Sequence, residues 1–149
     1  MFQSIGFIGT GNMGSALARA ADKGAPQGAA LYLSNRSPAK AEALCRDLRH
    51  ACVSTNEEIA RTCDLIFLGV KPQMMAGLLE SIGPILAGRE DRFVVCSMAA
   101  GLTLDILEGM LGHSYPLIRI LPNTPAAIGQ GIAQFCVRGV TGEEKAAFL

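Results

Sequence analysis

Six short apolar runs punctuate the chain, at Ser4–Ile8, Ala30–Ser34, Ala51–Val53, Leu65–Leu68, Phe93–Ser97 and Leu117–Leu121, with longer mixed segments between them. Their length and their content of Ile, Leu, Val and Phe predict strands. Strands separated by helix-length segments pair in parallel, because a parallel connection needs a crossover of a dozen or more residues. The runs are apolar almost throughout, the pattern of strands covered by helices on both faces. The expected fold class is α/β, with a central, buried, mostly parallel sheet.

The segments between the runs carry helix-end signals. Ser37 before Pro38 reads as an N-cap followed by proline at the first helical position, and Ala39–Leu48 continues as helix. Gly24 is placed to stop an earlier helix over Ser15–Lys23. Thr55-Asn56-Glu57-Glu58 has the capping-box spacing, in which Thr55 and Glu58 satisfy each other's backbone donors. Thr141-Gly142-Glu143-Glu144 repeats that spacing before Lys145–Leu149. A capped helix needs more turns than that to be stable, so residues 1–149 are expected to form one domain that ends where a connection to a further segment begins.

Composition narrows the picture. With 149 residues, 50% hydrophobic and 17% charged, the chain is one ordinary globular domain and not a disordered segment. The 13 Lys and Arg balance the 13 Asp and Glu, and no basic run occurs, so neither nucleic acid nor an anionic membrane is an expected partner. Any anionic ligand must be held locally. The five cysteines, Cys45, Cys52, Cys63, Cys96 and Cys136, include no C-x-x-C pair, so no metal site is expected and a reducing, cytoplasmic setting fits. No apolar run approaches the roughly 18 residues that span a bilayer.

The candidate chemistry begins at Gly9-Thr10-Gly11-Asn12-Met13-Gly14, a G-x-G-x-x-G between the strand Ile5–Ile8 and the helix Ser15–Lys23. In that context Gly9 permits the tight turn, Gly11 admits a pyrophosphate to the backbone, and Gly14 lets helix and strand pack closely. The positive end of the helix faces the phosphates. At the end of the second strand, where an Asp or Glu would bind the ribose 2′-hydroxyl of NAD, the chain reads Ser34-Asn35-Arg36-Ser37. Hydroxyls, an amide and a guanidinium suit a 2′-phosphate, which predicts NADP(H) in preference to NAD(H), with Arg36 as charge partner. Three further loops follow later strands, at Gly69–Pro72, Ser97–Gly101 and Pro122–Ala126, on the edge where an open parallel sheet binds its ligand.

With these segments in this order, the sequence resembles pyrroline-5-carboxylate reductase. The segments that carry the resemblance are Ile5–Gly14, Ser34-Asn35-Arg36, Val70-Lys71-Pro72-Gln73, Ala99-Ala100-Gly101 and Leu121-Pro122-Asn123-Thr124-Pro125-Ala126. The resemblance implies a Rossmann-type, doubly wound domain holding NAD(P)H. Gly9, Thr10, Gly11, Asn12 and Met13 would surround the pyrophosphate, and Ser34, Asn35 and Arg36 the 2′-phosphate. Asn56 would also touch the cofactor. Val70, Lys71 and Pro72 would line the nicotinamide ribose, Ala99, Ala100 and Gly101 the nicotinamide, and Asn123 would sit beside the reacting ring. The implied reaction is hydride transfer to the imine carbon of 1-pyrroline-5-carboxylate, giving L-proline. The family's second, all-helical domain builds a homo-oligomer and completes the substrate pocket, and none of it lies within these residues. No catalytic acid or base is therefore nominated, and His50 and His113 read as surface positions. Two alternatives stand beside this reading: a dinucleotide-binding module without turnover, and a related imine or β-hydroxy-acid reductase. The latter families lack the Pro122–Ala126 loop.

Overall fold

The first strand in chain order, β1 (Ser4–Ile8), lies inside the sheet and not at its edge. β2 (Ala30–Ser34) pairs with it in parallel on one side. After α1 (Pro38–Asp47) and the short β3 (Ala51–Val53), the chain passes through α2 (Asn56–Thr62) to β4 (Leu65–Leu68), which pairs in parallel with the other side of β1. α3 (Pro72–Ala87), β5 (Val94–Ser97), α4 (Leu104–Leu111) and β6 (Leu117–Ile120) extend the sheet, and β7 (Phe135–Arg138) closes it antiparallel to β6. Among the described residues the order is β3-β2-β1-β4-β5-β6-β7, with six parallel strands. The structure, a computed structural model, describes residues 4–9, 30–35, 38–48, 51–70, 72–91, 93–97, 103–112, 115–120 and 135–138.

Alternation along the strands divides the core in two. Ile5 and Phe7 of β1, Leu31 and Leu33 of β2, Leu65 and Phe67 of β4 and Ile118 of β6 bury one face against Ala41 and Leu44 of α1. Ile8, Ile66, Leu68, Val95 and Leu117 bury the other against α2, α3 and α4. Helices therefore cover both faces, as the apolar strands predict. On α3 the buried positions Met75, Leu79, Ile82 and Leu86 recur at helical spacing. Gly6 of β1 lies under Ile59 of α2, and a Cβ there would overlap the Ile59 side chain, so its glycine sets how close α2 sits to the sheet.

Thr55 caps α2, its hydroxyl accepting from the Glu58 amide at 3.1 Å. The reciprocal half of the expected capping box does not form, because the Glu58 carboxylate pairs with Arg61 at 2.9 Å. β5 begins one residue later than expected: the Phe93 ring packs under the Arg89 guanidinium, 4.5 Å from its centroid. β3 is an edge strand, and Cys52 and Val53 are exposed, so the expectation of burial on both faces fails there. β7 was not expected from the apolar pattern. The expected helix over Ser15–Lys23, the stop at Gly24, the cap at Thr141–Glu144, and His50 and His113 lie outside the described residues.

Below the sheet, at the end where β4 enters it, polar groups tie the chain together. Ser4 and Asp64 exchange hydrogen bonds, with the Ser4 amide donating to Asp64 Oδ1 and the Asp64 amide to Ser4 Oγ, both at 3.1 Å. Arg89 donates to the carbonyls of Ala60 at 3.0 Å and Cys63 at 2.6 Å, and both its Nε and a terminal nitrogen reach the Asp91 carboxylate. These are the free carbonyls at the end of α2, so the guanidinium acts as its C-terminal cap.

Candidate functional site

At the opposite edge, three neighbouring strands end level with one another. Ile8 is in register with Ser34 of β2 and with Leu68 of β4. The Gly9 amide donates to the Ser34 carbonyl at 2.8 Å, and the Gly69 amide to the Ile8 carbonyl at 2.7 Å. β1 is the strand from which the sheet grows in both directions, first to β2 and β3 and then to β4 and beyond. A doubly wound sheet opens its ligand crevice at this reversal, outside the carboxyl ends of the strands.

Gly9 stands at the mouth of that crevice with φ +88. Left-handed backbone of this kind favours glycine. A second constraint comes from the facing loop: a Cβ on Gly9 would lie 2.9 Å from the Gly69 carbonyl carbon, 3.0 Å from its oxygen and 3.2 Å from Val70 Cγ1. The sequence motif accounts for the turn. It does not reveal that the loop after β4 presses against the same glycine.

Beside the crevice, at the ends of β2 and β3, a cavity of about 360 Å³ is lined by Ser34, Asn35, Ala41, Val53, Ser54, Thr55, Asn56 and Glu57. Ser34 is buried, and its hydroxyl donates to Asn56 Oδ1 at 2.5 Å. The bond joins two expected site residues that lie 22 positions apart. It also changes the expected role of Ser34, whose proton is engaged with Asn56, leaving the Asn56 amide nitrogen as the donor of the pair. Val53, 43% exposed, and Ala41 give the cavity an apolar wall, and the remaining residues give it a polar rim. This is the composition that holds a flat base against carbon and a sugar against donors and acceptors.

The structure thus brings the expected residues into two groups, Ser34, Asn35 and Asn56 at the cavity and Gly9 and Val70 at the crevice. Pro72 is the first residue of α3. Thr10, Gly11, Asn12, Met13, Arg36, Lys71, Ala99, Ala100, Gly101 and Asn123 lie outside the described residues.

Two residues near this edge were not foreseen, Glu57 at the cavity and Arg119. Arg119 of β6 is level with Ser97, the last residue of β5, and its Nε is buried with no hydrogen-bond partner among the described residues. A charged residue inside the apolar run Leu117–Ile120 was the available signal. The buried cysteines are not candidates for chemistry. Burial holds Cys96 well above its ordinary pKa and pushes the Cys63 thiol up to about 12, so both pack as neutral groups.

A family model described as NADP oxidoreductase coenzyme F420-dependent matches residues 4–101. Pyrroline-5-carboxylate reductase of Escherichia coli (strain K12) is 38% identical, over all of this chain and 55% of the relative. Among solved structures, a pyrroline-5-carboxylate reductase from Coxiella burnetii superposes with TM-score 0.80 at 25% identity, over 99% of this chain and 54% of that one. A pyrroline carboxylate reductase from Plasmodium falciparum with NADP bound gives 0.74 at 28% identity, over 97% of this chain and 52% of that one. The chain spans about half the length of the relatives it matches.

Proposed function

We propose that this chain, which belongs to the family described as NADP oxidoreductase coenzyme F420-dependent and carries the pyrroline-5-carboxylate reductase sequence pattern, serves the NADPH-dependent reduction of 1-pyrroline-5-carboxylate to L-proline. The observation that carries the reading is the crevice at the ends of β1, β2 and β4, where Gly9 has the conformation and the close approach of a dinucleotide-binding turn.

Gly9, Thr10, Gly11, Asn12 and Met13 would hold the pyrophosphate, and Ser34, Asn35, Arg36 and Asn56 the adenosine ribose with its 2′-phosphate. Val70, Lys71 and Pro72 would border the nicotinamide ribose, Ala99, Ala100 and Gly101 the nicotinamide, and Asn123 the substrate ring. Bound there, the cofactor supplies the hydride. The chain's own residues orient it: Ser34 fixes Asn56 through its hydrogen bond, and the tight turn at Gly9 sets the depth to which the dinucleotide enters. Residues 1–149 act in this reading as the cofactor-binding domain in the cytoplasm, with homo-oligomerisation and the rest of the substrate pocket supplied by the half of the relatives that the match does not cover. A second reading is a dinucleotide-binding module without turnover; the crevice at Gly9 and the cavity at Ser34 and Asn56 serve either reading.

NADPH oxidation with 1-pyrroline-5-carboxylate, followed at several protein concentrations, separates the two. Turnover proportional to protein supports the reductase. Folded protein that binds NADPH without oxidising it supports the module, and folded protein that does not bind it refutes both. Replacing Arg36 with Asp is expected to weaken NADPH and spare NADH, since it removes a guanidinium and places like charge beside the 2′-phosphate. Unchanged NADPH affinity removes Arg36 from the site.

A further inference from the structure

The end of β2 provides no carboxylate for a ribose, but the fold brings one to the same cavity from another element. Among the described lining residues Ser34, Asn35, Ser54, Thr55 and Asn56 are neutral, and Glu57 carries a charge. α2 opens with two carboxylates whose situations differ. Glu58 is paired with Arg61 at 2.9 Å, whereas Glu57 is exposed, lines the cavity, and its carboxylate has no hydrogen bond or ion pair with any described residue.

An adenosine ribose at the end of β2 meets that carboxylate differently according to its 2′ substituent. A hydroxyl donates a hydrogen bond to it, as in sites that select NAD. A phosphate brings like charge and is repelled. Glu57 therefore acts against the expected donors Asn35 and Arg36 and the Asn56 amide, which favour the phosphate.

We propose that Glu57 is a specificity-determining residue that narrows the chain's preference for NADPH over NADH, accepting from the ribose of one and repelling the 2′-phosphate of the other. This rests on the dinucleotide reading above. It makes NADH a working ligand of a site whose β2 sequence reads as NADP-selective.

The test is equilibrium titration of the full chain with NADPH and with NADH, for the wild type, Glu57→Gln, Glu57→Lys and Glu58→Gln. Glu57→Gln is expected to tighten NADPH about three- to tenfold at low ionic strength and to leave NADH unchanged or weaker, as one charge removed from beside a phosphate implies. Glu57→Lys should carry the ratio further. In about 1 M salt, where the screening length falls to about 3 Å, the gain should largely vanish. Glu58→Gln should leave the ratio where it was. An unchanged NADPH to NADH ratio in both Glu57 variants, with binding retained, overturns the inference alone. An equal shift in Glu58→Gln also overturns it, because the effect would then be general charge. Failure of the folded wild type to bind either nucleotide overturns the dinucleotide reading and this inference with it.

Discussion

Replacing Gly9 with alanine tests two constraints at once, and Gly112 allows them to be separated. Gly9 has φ +88 and Gly112 φ +75, so an alanine at either site occupies left-handed backbone. That conformation costs about 1–2 kcal/mol for a residue with a Cβ. At Gly112, the C-cap of α4, nothing lies within 4 Å of the added carbon, and the conformational cost is the whole of it. At Gly9 the new carbon lies 2.9 Å from the Gly69 carbonyl carbon, a backbone atom flanked by the 2.7 Å hydrogen bond from Gly69 to Ile8. Relief requires β4 to move from β1, and overpacking of this kind costs a further 1–3 kcal/mol or about that. Gly112→Ala should therefore lower stability by about 1–2 kcal/mol, and Gly9→Ala by about 2–5 kcal/mol, the excess at Gly9 being the packing cost. Urea unfolding with an unchanged m-value measures both, and NADPH titration of Gly9→Ala should show weakened binding in protein that is still folded. Losses equal within error would mean that the loop after β4 yields freely, and the claim of a close-packed crevice would fall.

Other perturbations address the opposite edge and the buried thiols. Arg89→Met removes a side chain only 4% exposed and leaves the carbonyls of Ala60 and Cys63 without their donor. Chemical denaturation should show a loss of about 2–4 kcal/mol, while cofactor affinity stays unchanged because the cap lies at the far end of β4. A binding defect without a stability defect would contradict that placement. In the native state iodoacetamide should label the exposed Cys52 and spare the buried Cys63 and Cys96 until the chain unfolds, as read by mass spectrometry. Because burial raises the Cys63 thiol to about 12 from an ordinary 9.0, its neutral form is the one the fold favours. The associated stability is whole below pH 9 and declines as pH rises from there toward 12. Unfolding midpoints should fall between pH 8 and pH 10.5, less steeply in Cys63→Ala, and an identical slope in that variant would assign the decline to other groups.

The fold was legible wherever one face of an element met a continuous core. The runs at Ser4–Ile8, Ala30–Ser34 and Leu65–Leu68 form the strands expected of them, since burial on both faces leaves no other use for such apolar stretches. β7 escaped notice because an antiparallel edge strand is short and its pairing is set by β6, far from it in sequence. The capping box misled for a local reason: an arginine three residues after Glu58 competes for its carboxylate. In the candidate site the positions of Ser34 and Asn56 were foreseen separately, but their hydrogen bond depends on β2 and α2 meeting at one level. Glu57 and Arg119 were missed on similar grounds. Glu57 is a passive position of the capping-box segment and Arg119 belongs to no motif, and each matters only through the strand ends that the sheet sets beside it.

The interior place of β1 also constrains how the molecule is made. A strand at an edge can be added last, but β1 is the seam that joins β3-β2 to β4-β5-β6-β7. Its two partners begin at Ala30 and Leu65, so the seam stays open on one side until the chain has been synthesised past Leu68. Until then Phe7 lacks the Phe67 ring on which it stacks at 4.6 Å in the finished sheet. Nascent chains halted before β4 should present a half-sheet with an unpaired flank, a substrate for chaperones, and those halted beyond it should resist protease.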